Sequence, residues 1–211
     1  MPLTLYDFAR APSPRRARIV LAEKGIDYDK VQVDLSTRAQ LEDSFKAINP
    51  RCTVPALKLE DGTVLCDNAG IAAYAEALVP EPNLLGSTPE EKGLVADWTV
   101  RIEFEGLSAC AEVVRNSAER LKGRAVVGPD TYAQIPALAE RGAVRLKRFF
   151  ETLNERLSGR DYIAIDRFSY ADITALVAVD FAAILKITPS EGQSEIKRWH
   201  AAVSARPSAS A

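Results

Sequence analysis

Apolar and polar residues alternate along Leu3-Thr4-Leu5-Tyr6-Asp7-Phe8, which predicts a strand with one buried face. Ala11-Pro12-Ser13-Pro14 reads as a turn that runs into a helix, with Ser13 as N-cap and Pro14 at the first helical position. Ile19, Val20 and Leu21 carry that helix forward, and Gly25 ends it. A second strand over Tyr28–Leu35 follows, and a strand–helix–strand unit favours parallel pairing. A short polar helix over about Arg38–Ala47 comes next, then a strand at Val54–Leu59 that opens at a proline. Glu60-Asp61-Gly62-Thr63 is a hairpin turn, Val64–Cys66 its return strand, and Asp67–Leu78 an alanine-rich helix.

Two prolines in Val79-Pro80-Glu81-Pro82-Asn83 end this alternation, and no strand signal of comparable strength follows. Residues 90–118 carry a helical pattern. Ile135, Leu138, Gly142, Leu146, Phe149, Leu153 and Leu157 recur at steps of three and four, the clearest helix of the chain, which Gly159 terminates. Ser169 and Asp172 form a capping box, so Asp172 is expected to be structural. The helix it opens, Tyr170–Leu185, is apolar on nearly every side and is predicted to be the buried centre of a bundle. A last helix holds Trp199. The expected architecture is an α/β thioredoxin-like domain over residues 1–80, a linker over 81–89 and an all-helical domain over 90–211.

Composition narrows the chemistry. The chain has 211 residues, 27% of them charged, and a formal charge of −2, a poor footprint for nucleic acid. Cys52, Cys66 and Cys110 are odd in number and widely spaced, which predicts reduced thiols rather than a metal site or two-thiol centre. No basic segment followed by a long apolar run opens the chain and no membrane-length apolar stretch occurs, so a cytoplasmic setting is expected, with neither membrane nor metal. His200 is the only histidine, beside Trp199 near the C-terminus, so a histidine general base is not expected.

Three segments in this order resemble the cytosolic glutathione transferase superfamily. They are Arg16–Ile26 after the first strand, Asn49-Pro50-Arg51-Cys52-Thr53-Val54-Pro55 leading into Asp67-Asn68-Ala69-Gly70-Ile71, and Ser169–Asp172 with the helix after it. Pro12-Ser13-Pro14-Arg15-Arg16 is most similar to a microbial branch that lacks the usual tyrosine, serine or cysteine activator. The resemblance implies the glutathione transferase fold. It also implies conjugation of glutathione to small hydrophobic electrophiles, peroxide reduction as a companion activity, glutathione as co-substrate with no other cofactor, and a homodimer. In that dimer, the helix after Asp67 pairs with the 90–118 helix of the other subunit.

A thiol becomes a good nucleophile only when ionised, and a helix N-terminus with a hydroxyl donor favours the thiolate. Ser13 is the candidate for that catalytic donor, because the position where serine- and cysteine-type relatives place theirs is Ala11 here. The helix terminus, a water and the helical domain remain open as sources. In the resembling branch two further residues fall at about Ala111 and Arg115, and neither type matches. Arg115 and Asn116 are open as donors, with solvated helix residues the reading expected.

For glutathione, the resemblance implies a cis Val54–Pro55 bond and pairing of the Val54 backbone, beside Thr53, with the cysteinyl part. It gives the γ-glutamyl ammonium to Asp67, the γ-glutamyl carboxylate to Asn68 and its helix N-terminus, and the glycyl end to Gln40. Phe8, Ala9, Ala11, Phe104, Leu107, Ala111, Val114 and Arg115 are the candidates for the second-substrate pocket. Two other readings stand beside this one: a non-enzymatic binding or regulatory member of the fold, motivated by Ala11, and a thiol reductase using Cys52.

Overall fold

The computed structural model describes residues 2–211. It divides into two compact units: residues up to 82 with 126–131 and 211, and residues 83–125 with 132–210.

In the first unit, β1 (Thr4–Asp7) pairs in parallel with β2 (Asp29–Gln32) and antiparallel with β3 (Ala56–Lys58), which pairs antiparallel with β4 (Val64–Leu65). The strand order is β2-β1-β3-β4. The helices are α1 (Pro12–Glu23), a short α2 (Asp43–Lys46) and α3 (Asn68–Leu78). Leu5, Ile19, Leu21, Leu57 and Ile71 supply its buried centre.

Ser13 is not the cap of α1. Ala11 holds that position with φ −86° and ψ 137°, and Pro12 and Ser13 are the first two helical residues. A proline drives the residue before it out of the helical region, so Pro12 fixes the boundary at Ala11, two residues earlier than Pro14 would. The helix predicted over 38–47 is broken. A 3₁₀ turn at Ala39–Leu41 and α2 are separated by Glu42 in extended conformation. Ahead of it, Asp34 accepts from the Ser36 N–H and hydroxyl, and its carbonyl accepts from Thr37 Oγ1.

The second unit is helical: α4 (Pro89–Ile102), α5 (Ser108–Ser117), α6 (Pro136–Arg156), α7 (Tyr170–Ile184) and α8 (Ser194–Ser204). The single helix expected over 90–118 is α4 and α5 joined by a π-helical turn, Glu103–Leu107. Gly106 in that turn lets Phe149 approach: a Cβ there would lie 3.0 Å from the Phe149 ring and 3.2 Å from Ala178 Cβ. Gly142 serves the same purpose between α5 and α6, since a Cβ would stand 2.8 Å from the Ala109 carbonyl oxygen. Its low helix propensity is the cost of that close approach. Ile135 is not part of the buried face of α6. It precedes Pro136 in extended conformation and is exposed.

At the start of α7, Asp172 is fully buried. Its Oδ2 accepts from the Ser169 N–H and hydroxyl, and Oδ1 accepts from Ile163 N–H and Trp199 Nε1 at 3.0 Å each. Burial pushes this carboxyl up to about 6, against four hydrogen bonds that favour the ionised form. Between its unfolded value of 3.8 and about 6, the folded chain holds a proton the unfolded chain has released. Stability from this group therefore falls as pH rises through that window. Asp172→Asn should cost about 2–4 kcal/mol through lost hydrogen bonds. Denaturant unfolding of both proteins should show that cost shrinking from pH 4 to pH 7 by up to about 3 kcal/mol. A cost that grows with pH would mean the hydrogen bonds outweigh burial.

Candidate functional site

β1 ends at Asp7, which is fully buried. Arg18 of α1 donates from Nη1 to Asp7 Oδ1 at 2.6 Å and from Nη2 to the Ala9 carbonyl at 3.3 Å, while Gln32 donates to Asp7 Oδ2 at 3.2 Å. These bonds fix the loop that delivers the N-terminus of α1. Ser13 lies in the first turn there, half-buried.

A second loop, 49–55, is braced by Asn49, which the sequence reading quoted in a motif but gave no role. Asn49 is fully buried and donates from Nδ2 to the Thr53 carbonyl at 2.8 Å and to Thr53 Oγ1 at 3.1 Å. Its Oδ1 accepts from Arg51 N–H at 3.0 Å. Cys52 takes a left-handed φ of 54°, and Val54–Pro55 is cis. Val54 packs with Val33 and Phe45, and Phe8 lies against the same cluster, so part of the Phe8 ring serves the core. Glu81–Pro82 is a second cis bond that nothing in the sequence reading anticipated.

Asp67 and Asn68 open α3. Asp67 is the cap residue in extended conformation but makes no capping hydrogen bond. Its exposed carboxylate is paired with the Arg51 guanidinium. Arg51 was missed because the partners are sixteen residues apart on two loops, with no periodic signal. Asn68 is 6% exposed, and its Nδ2 donates to Ser13 Oγ at 2.9 Å. This bond brings two candidate residues together across 55 positions and joins the first turns of α1 and α3. The helix starts each offer unpaired N–H groups and partial positive charge. Asn68 Oδ1 and Gln40 Oε1 are both buried, and no described residue bonds either oxygen.

In the second unit, Phe104 lies in the π turn and is 68% exposed, with the Arg145 guanidinium 4.8 Å from its ring centroid. Ala111 and Arg115 are on α5 and partly buried. Arg115 and Asn116 are not solvated helix residues. Arg115 Nη1 donates to the Arg124 carbonyl at 2.8 Å, and Asn116 Oδ1 accepts from Ile135 N–H at 3.0 Å, so both hold the segment between α5 and α6. Burial, then the charges of Arg124 and Arg120, push the Arg115 guanidinium below its usual range. His200 Nε2 lies 2.6 Å from Asp180 Oδ1, a pairing of α8 with α7. No group of three metal-ligating side chains occurs among the described residues, and no helix there is long and apolar enough to cross a membrane.

Comparison with known proteins matches residues 11–78 to the glutathione S-transferase N-terminal domain and residues 122–207 to the glutathione S-transferase C-terminal domain. The chain is 33% identical to glutathione S-transferase 2 of Saccharomyces cerevisiae over 98% of its own length and 87% of that protein's. A glutathione S-transferase domain-containing protein of Marinobacter aquaeolei superposes with a TM-score of 0.90 at 31% identity, covering 97% of this chain and 98% of that one. A glutathione S-transferase of Vibrio parahaemolyticus superposes with a TM-score of 0.83 at 33% identity, covering 97% of this chain and 94% of that one.

The three cysteines are free but differ in access. Cys52 and Cys110 are buried, and burial pushes the Cys110 thiol up to about 12. Cys66 is partly exposed, with its thiol raised by burial and then by Asp67. Titration of the native protein with a chromogenic disulfide should modify Cys66 first, with Cys52 and Cys110 reacting only on unfolding. Fast modification of Cys52 in the native state would contradict this geometry.

Proposed function

Because the chain belongs to the glutathione S-transferase family, we propose that it conjugates glutathione to small hydrophobic electrophiles, with Ser13 at the N-terminus of α1 as the donor that holds the thiolate. The chain is a transferase with glutathione as its co-substrate. The observation that carries the finer reading is the Asn68–Ser13 bond, which places the first turns of α1 and α3 side by side.

The assignment of the tripeptide follows from donor and acceptor types. Thr53, Val54 and cis Pro55, braced by Asn49, offer backbone to the cysteinyl part. Asp67 and Asn68 take the γ-glutamyl head, and Gln40 the glycyl end. The thiol proton leaves to solvent. The sulfur, stabilised by the Ser13 O–H and the helix terminus, attacks an electrophilic carbon, so the S–C bond forms as the leaving group departs with its electron pair. A hydroperoxide is the companion substrate class: two glutathione molecules become the disulfide while the peroxide yields an alcohol and water. Electrophile recognition is assigned to Phe8, Ala11, Phe104, Ala111 and Arg115. The setting proposed is the cytoplasm.

Turnover of glutathione with a nitro-substituted aryl chloride tests the transfer. Asp67→Asn should weaken glutathione binding about tenfold, or about 1.4 kcal/mol, and Ser13→Ala should lower kcat on the order of 10-fold or more at unchanged fold. If calorimetry shows no glutathione binding and no aryl halide, epoxide or peroxide is turned over, the reading fails.

The homodimer is proposed on the same footing. Leu78 of α3, and Leu94 and Val100 of α4, are large apolar side chains left exposed. Arg101 of α4 and Glu105 of the π turn, four residues apart, are bonded at 3.2 Å. Sedimentation equilibrium should give twice the chain mass, and Val100→Glu should shift it towards one. A monomer at micromolar concentration removes this part of the proposal.

A further inference from the structure

Three arginines of the helical unit gather at the end of α5. Arg115 lies in the last turn of that helix, Arg120 in the 3₁₀ turn Glu119–Leu121, and Arg124 just beyond it. Arg115 is half-buried, and its Nη1 donates to the Arg124 carbonyl at 2.8 Å. That bond fixes the plane of the guanidinium. Nε and Nη2 donate to no described residue, and neither is sealed from water. They form the side-on edge of the guanidinium, two parallel N–H donors whose spacing matches the two oxygens of a carboxylate. The acids nearby are committed elsewhere. Glu112, one turn earlier on α5, pairs with Arg141 and Arg145, and Glu119 pairs with Lys122. The charges that act on Arg115 are those of Arg124 and Arg120, and both oppose its own. A partly desolvated cation facing two like charges is costly unless an anion arrives. The backbone of the cluster is already held. Gln134 Nε2 donates to the carbonyls of Arg115 and Ala118, Arg124 N–H to Leu121, and Tyr132 N–H to Gly123. The open edge of Arg115 is therefore set before any ligand binds.

We propose that Arg115, with Arg120 and Arg124 around it, is a carboxylate-binding subsite that makes this transferase favour electrophiles bearing an anionic group. The inference rests on the reading of Arg115 as part of electrophile recognition. A carboxylate of the second substrate accepts from Nε–H and Nη2–H of Arg115 together. Arg120 and Arg124 attract the same group through space, an attraction that salt screens. A substrate neutral at that position leaves the three like charges uncompensated. Selection among electrophiles then depends on charge as well as on apolar fit, and the planar fork of Arg115 makes it depend on shape too.

The test uses the full chain, saturating glutathione and two electrophiles that differ at one group, a chloro-nitrobenzoate and its carboxamide. Each kcat/KM is divided by the uncatalysed rate constant, and the carboxylate-to-carboxamide ratio is compared between proteins. Wild type, Arg115→Gln, Arg115→Lys and Arg120→Gln are measured, with circular dichroism confirming each fold. Arg120→Gln leaves the bond from Arg115 to the Arg124 carbonyl in place, so it keeps the result readable where Arg115→Gln disturbs the loop. Wild type should favour the carboxylate about tenfold, and Arg115→Gln should remove that preference. Arg115→Lys, which keeps the charge and loses the fork, should retain part of it, and Arg120→Gln should lower it about twofold. Nitrobenzoate without a leaving group should bind wild type in calorimetry and bind Arg115→Gln about tenfold more weakly. If the ratio is the same in wild type, Arg115→Gln and Arg120→Gln, the subsite is overturned while the transferase reading stands. If neither electrophile nor any other is turned over, the transfer reading fails and takes the substrate claim with it. If inorganic phosphate binds the cluster as tightly as nitrobenzoate and no carboxylate preference exists, the occupant is a free anion and the proposal is overturned.

Discussion

Arg18 reaches from the middle of α1 to the end of β1, where it meets a carboxylate with no access to water. Its Nη1 donates to Asp7 Oδ1 at 2.6 Å, its Nη2 to the Ala9 carbonyl, and its Nε to the carbonyl of Ala211 at 2.8 Å. Gln32 of β2 closes the other side of Asp7. A charge buried this deeply is tolerable only if it stays paired. That requirement fixes the loop 8–11 and the approach of α1 to the sheet. The N-terminus of α1 can then hold Ser13 at a set distance from α3.

Each unit repeats the same device elsewhere. Lys24 at the end of α1 is buried and donates to the Pro82 carbonyl at 2.6 Å while pairing with Glu76 of α3. Asn49 does for the 49–55 loop what Arg18 does for the 8–11 loop. In the helical unit Asp172 gathers Ser169, Ile163 and Trp199 around one carboxylate. Apolar burial supplies the driving force, but it is non-directional. The directional bonds at these four residues select one arrangement of loops.

The site has an electrostatic asymmetry. Two helix N-termini and the Arg51 guanidinium bring positive potential, and Asp67 is the carboxylate paired there. Such surroundings suit a ligand with several anionic groups and one cationic group. Buried Asn68 Oδ1 and Gln40 Oε1 add acceptors within the same unit. Asp67 is already paired with Arg51, so less of its charge is left to act on its surroundings.

Elements with a strong period were legible from the sequence. The stripe from Gly142 to Leu157 gave α6, the all-apolar run gave α7, and Ser169 with Asp172 gave its cap, because local periodicity and local hydrogen bonds decide them. The family motif also marked Val54–Pro55 and the start of α3. Three things were decided only by tertiary structure. The start of α1, read at Ser13 from Pro14, lies two residues earlier, with Ala11 as the cap before Pro12. The π turn at Glu103–Leu107 carries Gly106 against Phe149, a contact 43 residues away that no window along the chain contains. Arg51–Asp67 and Ser13–Asn68 join loops and helix ends with no shared period. Sequence alone named most residues of the candidate site, whereas only the folded chain decided which of them touch, because hydrogen bonds between distant segments depend on where the core places their backbones.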